Sequence, residues 1–413
     1  MTATQTPAAT LTDPDLLGFD PVRLGRVREV LTAHVGQGLT PGGVFAVHRR
    51  GRLACLESFG RRDPARPEPM TIDSIFRIGS MTKQFTAMAT LALVEQGRLL
   101  LSDSISAFLP EFENVTVTAD PVNADSPDVP TCAPIRPPTV RDLLIQTSGI
   151  VGGYKGSPGV LRAYRARGVR GFDHQSAALT ATTQQLVERL ATVPLAHQPG
   201  TVWEYGLSYD VLGRLLEVAS GQGLDELVGD LVLGPLGMTS TGFWVPGSDA
   251  DRVAQPDRTL APDQELLTLT SRPAFLSGGS GCYSTITDYL NLLLCVAGRG
   301  VAVDGTRVLS PRFADLMLAD HLGDLAESGP DYIPGTGYTF GLGLAVRRPV
   351  AGHAPGTPGD YWWLGRGSTV FFVDPAEDLI AVLLMQSSWQ VRWWQARRYH
   401  ELFRDLVYQA IVD

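Results

Sequence analysis

Ser80 and Lys83 are the residues of this chain whose types and spacing could do covalent chemistry. In Ser80-Met81-Thr82-Lys83 they are three positions apart, and on a helix such residues share a face about one turn apart, so the hydroxyl and the amine can meet. The sequence has two lysines, Lys83 and Lys155. Arginine could not replace Lys83 as a proton acceptor because its pKa stays above ~12. The spacing therefore predicts a serine nucleophile beside an amine that can lose its proton.

The position of Ser80 favours this interpretation over a solvated helix face, which explains most isolated Ser-x-x-Lys sequences. A strand-like segment, Ile75 to Gly79, leads into a helical pattern that runs from Met81 to Glu95. Backbone N–H groups at the start of a helix carry partial positive charge and can stabilise an oxyanion. The sequence therefore predicts acyl transfer at Ser80.

Two further motifs follow in order: Tyr205-Gly206-Leu207 and Trp363-Leu364-Gly365. With Ser-x-x-Lys, they resemble the Tyr-x-Asn and the Lys-Thr-Gly or His-x-Gly motifs of the penicillin-recognising serine hydrolases. The resemblance spans roughly residues 42–386 and is strongest to the class C β-lactamase-like esterases, often called family VIII carboxylesterases. Supporting stretches that also resemble the family lie at residues 143–149, 198–200, 235–238 and 277–281.

The resemblance implies a two-step acyl transfer that needs no cofactor and no metal. Ser80 Oγ would attack a carbonyl while Lys83 and Tyr205 share the task of accepting its proton. The backbone N–H groups of Ser80 and Arg366 would form the oxyanion hole. The implied partner is a small-molecule ester. Alternatives that use the same nucleophile are an acyltransferase, a D,D-peptidase or D-aminopeptidase, and a β-lactamase; a non-catalytic module with this fold is a further alternative.

Some positions depart from the family pattern. Trp363 stands where many relatives place a cation, and Leu207 stands where they place an asparagine, so both changes favour a neutral, apolar ester. Gly365 of the third motif and Tyr154, after the Thr-Ser-Gly loop, are further candidate substrate-binding residues. Gln146 stands where relatives commonly have histidine, and the sequence assigns it no role.

The elements that must position these residues follow from hydrophobic periodicity, caps and turns. The sequence predicts helices from Asp20-Pro21 to Gly36, from Met81 to Glu95, after Thr182, over 211–218, over 288–296 and over 399–411. It predicts a hairpin around Arg50-Gly51-Arg52, strands at 340–346, 369–373 and 379–385, and a proline-rich surface loop at 113–138.

This order, with the resemblance, predicts an α/β (α+β) two-lobed fold of the β-lactamase/D,D-peptidase type. An antiparallel sheet flanked by terminal helices would come from residues 1–105 and 285–413. A mainly helical lobe would be inserted at 106–284, and the active site would lie between the two.

Composition narrows the functional class. The net charge of −9 over 413 residues argues against nucleic-acid and membrane partners. Scattered histidines argue against a zinc site. Gly278-Gly279-Ser280-Gly281-Cys282 fails the G-x-S-x-G motif of α/β-hydrolases.

The four cysteines are expected to be buried, small apolar residues. The N-terminus resembles no signal peptide, so we expect a cytoplasmic protein. The oligomeric state is left open.

Overall fold

The computed structural model describes residues 10–119, 130–152, 158–169, 181–260, 267–327, 329, 332–350, 352, 354–387 and 393–413. Within these residues the main sheet has seven strands, and every neighbouring pair is antiparallel. In spatial order they are β2 (Arg52–Gly60), β1 (Gly42–Arg49), β11 (Leu379–Met385), β10 (Thr369–Asp374), β9 (Tyr361–Gly365), β8 (Ala345–Arg347) and β7 (Tyr338–Phe340). The sheet thus joins the two ends of the chain.

Terminal helices cover one face of this sheet. Helix α1 (Pro21–Gly36) begins with Asp20 as its N-cap and proline in its first turn, as predicted. It packs against the C-terminal helix α10 (Trp393–Tyr408), which also lies on β10 and β9. Phe403 of α10 contacts Phe45 and Phe372 of the sheet, with ring centroids 6.2 and 5.9 Å apart. The two helices therefore bury the apolar residues of one sheet face.

Helices from the middle of the chain build the second region. They are α2 (Lys83–Glu95), α3 (Val140–Leu144), α4 (Pro158–Ala166), α5 (Thr183–Ala191), α6 (Ser208–Ser220) and α7 (Leu224–Val228); α8 (Ile286–Ala297) and α9 (Pro311–Met317) return toward the sheet. Helix α6 packs against α2, α3, α5 and α7, while α8 packs against β11. The chain therefore has the predicted two-lobed α/β architecture. The lobe boundaries near residues 105 and 285 stay a prediction.

The sequence misplaced several elements. Residues 340–346, predicted as one strand, form the ends of β7 and β8 with a turn between them, because the backbone reverses where Gly343 takes a φ of +98°. The terminal helix ends at Tyr408, before the predicted Ile411. The predicted 113–138 loop contains the paired short strands β4 (Val117–Thr118) and β5 (Thr131–Cys132), and its residues 120–129 lie outside the described chain. Cys132 is exposed, contrary to the prediction, whereas the other three cysteines are buried.

Candidate active site

Ser80 sits at the predicted junction between strand and helix, but in a tighter turn. Short strand β3 (Phe76–Arg77) pairs with β6 (Tyr283–Ser284), and a 3-10 turn over Gly79–Thr82 leads into α2, which starts at Lys83 rather than at Met81. The Thr82 hydroxyl donates to the Gly79 carbonyl at 2.7 Å and accepts from the Cys282 N–H at 3.0 Å. These bonds fix the turn that carries Ser80, of which 8% is exposed.

Lys83 is buried one turn beyond Ser80. Its Nζ donates to the carbonyl of Gly279 at 2.7 Å and lies 4.6 Å from the centre of the Tyr205 ring. Burial lowers the pKa of the Lys83 amine from 10.5 to about 7, and the charge of Asp210 opposes part of this fall. Near neutral pH a large fraction of Lys83 is therefore uncharged and able to accept a proton.

Tyr205 completes the group that the sequence predicted. Burial raises the pKa of its phenol above the usual value, and polar interactions with the Ser80 and Trp363 side chains oppose that rise. The Tyr205 and Trp363 ring centroids are 5.7 Å apart. The structure thus brings Ser80, Lys83 and Tyr205 together, and of the two candidate bases the amine loses its proton at the lower pH.

A carboxylate that the sequence did not single out supports Lys83. Asp210, on the first turn of α6, accepts from the Ser277 hydroxyl at 2.5 Å and from the Gly279 N–H at 3.3 Å. It therefore holds the loop whose Gly279 carbonyl accepts from Lys83. The available signal was its position one turn into the helix that follows the Tyr205 motif.

The third motif approaches Ser80 from the sheet. A Cβ on Gly365 would collide with the Ile78 carbonyl and the Thr369 side chain, so only glycine fits at this end of β9. A Cβ placed on Gly79 would lie 3.2 Å from the Arg366 backbone nitrogen. The Arg366 backbone nitrogen therefore lies beside the turn that presents Ser80, and its role in an oxyanion hole stays a prediction.

Aromatic side chains line this side of the site. Trp363 is buried and packs on Phe340 with ring centroids 5.1 Å apart. Phe340 in turn contacts Trp203 at 5.7 Å, and Trp203 contacts Tyr332 at 4.9 Å. The surroundings of Tyr205 on this side are therefore largely apolar and carry no cation at position 363.

The remaining predicted substrate-binding residues fare differently. Leu207 is buried at the start of α6, where its carbonyl accepts the Asp210 N–H at 3.0 Å. Tyr154 lies outside the described residues. In the part of the chain that the structure describes, no three His, Cys, Asp or Glu side chains group as metal ligands. No helix among those residues is both long and apolar enough to cross a bilayer.

A two-lobed fold with an antiparallel sheet, and with a serine, a lysine and a tyrosine grouped beside β9, defines the class of serine β-lactamase-like proteins. The chain belongs to the Beta-lactamase family, whose family model matches residues 27–396. It is 37% identical to protein Rv1367c of Mycobacterium tuberculosis over 377 residues, covering 87% of this chain and 88% of that protein. It is 30% identical to esterase EstB of Burkholderia gladioli over 402 residues, covering 92% and 94%.

Solved structures share the fold. EstCE1, described as a hydrolase with promiscuous acyltransferase activity, is similar with a TM-score of 0.75 and 25% identity over 94% of this chain and 99% of that one. Simvastatin synthase (LovD) of Aspergillus terreus has a TM-score of 0.74 at 24% identity, covering 94% and 98%, and supports the fold alone. The proteins to which the chain is similar thus include an esterase and a hydrolase with promiscuous acyltransferase activity.

Proposed function

We propose that the protein is a serine carboxylesterase that cleaves neutral, apolar esters through an acyl-enzyme on Ser80. One observation carries the proposal: a buried amine whose pKa is lowered to about 7 lies one helical turn from a serine at a helix start. Since a general base works best when its pKa is near the working pH, Lys83 suits the task.

In the first step, Ser80 Oγ attacks the ester carbonyl and its proton passes to neutral Lys83, with the Tyr205 phenol as the relay. The oxyanion accepts from the Ser80 and Arg366 N–H groups, and losing one such donor typically costs roughly 10²–10³ in rate. The tetrahedral intermediate then collapses, and the alcohol leaves with the proton. In the second step, water repeats the sequence on the acyl-enzyme and releases the acid.

The preference for a neutral substrate is inferred from Trp363 and Leu207. Both side chains are buried. Trp363 supplies no cation to attract a substrate carboxylate, and the side chain of Leu207 cannot hydrogen-bond to a substrate amide. The similarity to esterase EstB supports an ester as the substrate. We expect p-nitrophenyl esters to be turned over faster than β-lactams or D-Ala-D-Ala peptides.

Acyl transfer to an alcohol is the second candidate function, favoured by the similarity to EstCE1. In this case the acyl-enzyme forms in the same way, and an alcohol replaces water in the second step. Measuring ester and acid products at increasing alcohol concentration separates the two. A transesterase gives mainly the new ester while water is in large excess, whereas a hydrolase gives mainly acid.

The test of the nucleophile is Ser80→Ala, with Ser106→Ala as the matched control. Ser106 lies in the 3-10 turn Ile105–Ala107, and its hydroxyl bonds to Ser104. We expect Ser80→Ala to abolish ester hydrolysis and labelling by a serine-reactive phosphonate, and peptide mass spectrometry should place the label on residue 80 in the control. Substantial hydrolysis by folded Ser80→Ala would refute the proposal.

A further inference from the structure

Gln146 has a backbone conformation that its residue type disfavours. It follows α3 by two residues and takes a φ of +60°, in the left-handed region that non-glycine residues rarely adopt. Its side chain is buried, with 1% of the residue exposed. Such strained residues persist where surrounding contacts hold them, and they concentrate at functional sites.

The contacts of Gln146 fall on both sides of Tyr205. Its backbone carbonyl accepts the N–H of Glu204 at 3.0 Å, and its side-chain Oε1 accepts the N–H of Gly206 at 3.2 Å. One residue therefore accepts hydrogen bonds from the N–H groups of both residues next to Tyr205, Glu204 and Gly206. The left-handed turn lets its carbonyl and its side chain reach the same segment.

The segment around Tyr205 is also closely packed from behind. A Cβ on Gly206 would lie 2.6 Å from both the Gly152 nitrogen and the Ile150 carbonyl oxygen. Gly206 therefore cannot move toward residues 150–152. The hydrogen bond from its N–H to Gln146 Oε1 restrains it as well. Tyr205 is then held between two restrained neighbours.

The two polar atoms of the Gln146 side chain differ in their contacts. The Nε2 is buried and has no hydrogen-bond partner among the described residues, which costs free energy. The Oε1 accepts the Gly206 N–H. The contact that the side chain makes next to Tyr205 therefore comes from its oxygen.

We propose that Gln146 is a positioning residue for Tyr205. Through its hydrogen bonds to the N–H groups of Glu204 and Gly206, it sets the distance of the Tyr205 phenol from Ser80 and Lys83. This inference rests on the role given to Tyr205 under the proposed function. Misplacing a proton-relay group by about 1 Å can cost on the order of 10²-fold in rate. The residue does not touch the substrate, so its loss should slow acylation while leaving substrate binding unchanged.

The test compares Gln146→Asn with Gln146→His. Asparagine and histidine both tolerate the left-handed conformation better than most residues, so neither adds backbone strain. Asparagine is one methylene too short to reach the Gly206 N–H, whereas a ring nitrogen of histidine can accept it. Ser148→Ala is the matched control, because the Ser148 hydroxyl bonds to Ser208 at 2.9 Å and accepts the Ile150 N–H at 3.1 Å, rather than bonding to a residue next to Tyr205.

We expect Gln146→Asn to lower kcat and the rate of phosphonate labelling at Ser80 about tenfold or more, with KM within about threefold of the original. Gln146→His should recover most of both rates. Ser148→Ala should lower the melting temperature and leave kcat within about twofold. Both rates are divided by the amount of protein that can be labelled at Ser80, so a partly unfolded variant does not give a falsely low rate.

Unchanged kcat in Gln146→Asn would overturn the inference, as would an equal loss in the asparagine and histidine variants that follows their melting temperatures. Either result leaves the proposed function standing if the unmodified protein is labelled at Ser80. Activity that survives Ser80→Ala would instead refute the proposed function itself. The two failures are therefore distinguishable.

Discussion

The lowered pKa of Lys83 makes a quantitative prediction about the pH dependence of the reaction. With a pKa of about 7, about half of the amine is neutral at pH 7, about nine-tenths at pH 8 and about a tenth at pH 6. With the ordinary value of 10.5, only about 0.3% would be neutral at pH 8. We therefore expect kcat/KM to rise about tenfold per pH unit below pH 6 and about fivefold from pH 6 to pH 7, and to level off by pH 8.

Asp210→Asn tests the cause of that profile. The Asp210 charge raises the Lys83 pKa, so its removal should lower that pKa further and move the rising limb to lower pH. At pH 6 the variant should then run at a larger fraction of its plateau rate than the unmodified protein. Asparagine keeps an oxygen that can accept from Ser277 and Gly279, so the loop geometry is retained.

The assay is hydrolysis of a p-nitrophenyl ester from pH 5 to 9, read at a wavelength where the product's ionisation does not change its absorbance. Asp288→Asn is the matched control: it removes a buried carboxylate that accepts from Ser240 and Thr241 at 2.8 Å, rather than one that acts on the lysine. Its profile should match that of the unmodified protein. A rate that still rises about tenfold from pH 8 to pH 9, or a limb that Asp210→Asn moves to higher pH, would refute the reasoning.

Three further predictions concern packing and buried charge in the sheet region, each tested by a substitution. Gly365→Ala sets a methyl group against the Ile78 carbonyl and should lower both kcat and the melting temperature, whereas Gly36→Ala, at a position with open space, should change neither. Burial lowers the pKa of His48 from 6.5 to about 4. The free energy of unfolding should therefore fall by up to about 3 kcal/mol as the pH drops from 6.5 to 4. In urea unfolding, His48→Leu should show a smaller fall over this pH range, and an equal fall would contradict the prediction. Asp360→Asn leaves two buried arginines without their shared carboxylate and should cost about 3–5 kcal/mol in urea unfolding; a loss under 1 kcal/mol would count against it.

Local patterns predicted the elements that local physics controls. The Asp20-Pro21 start of α1, the Thr182 capping box of α5 and the Arg50-Gly51-Arg52 turn all appear where the sequence placed them. The single strand predicted for 340–346 was wrong because the sequence pattern does not show that the chain reverses at Gly343. This reversal places β8 between β7 and β9, so it depends on β9 being available to pair with β8.

Partners far apart in sequence could not be predicted in the same way. The sequence did not single out Asp210, and it placed Gln146 in a stretch that resembles the family without indicating what the side chain contacts. Their roles appear only when α6 packs on α2 and the loop after α3 meets the segment around Tyr205. Residue type alone did not indicate which N–H each oxygen accepts.

The sequence by itself determined that a serine and a lysine share one face at the start of a helix, because helical geometry fixes the spacing of three residues. Tertiary structure decided whether that lysine is a base. Its pKa depends on burial against Tyr205 and Tyr209 and on the nearby Asp210 charge, and these are brought to it by α6 and the segment that precedes it. Desolvation is a property of the packed surroundings, so no local pattern encodes it.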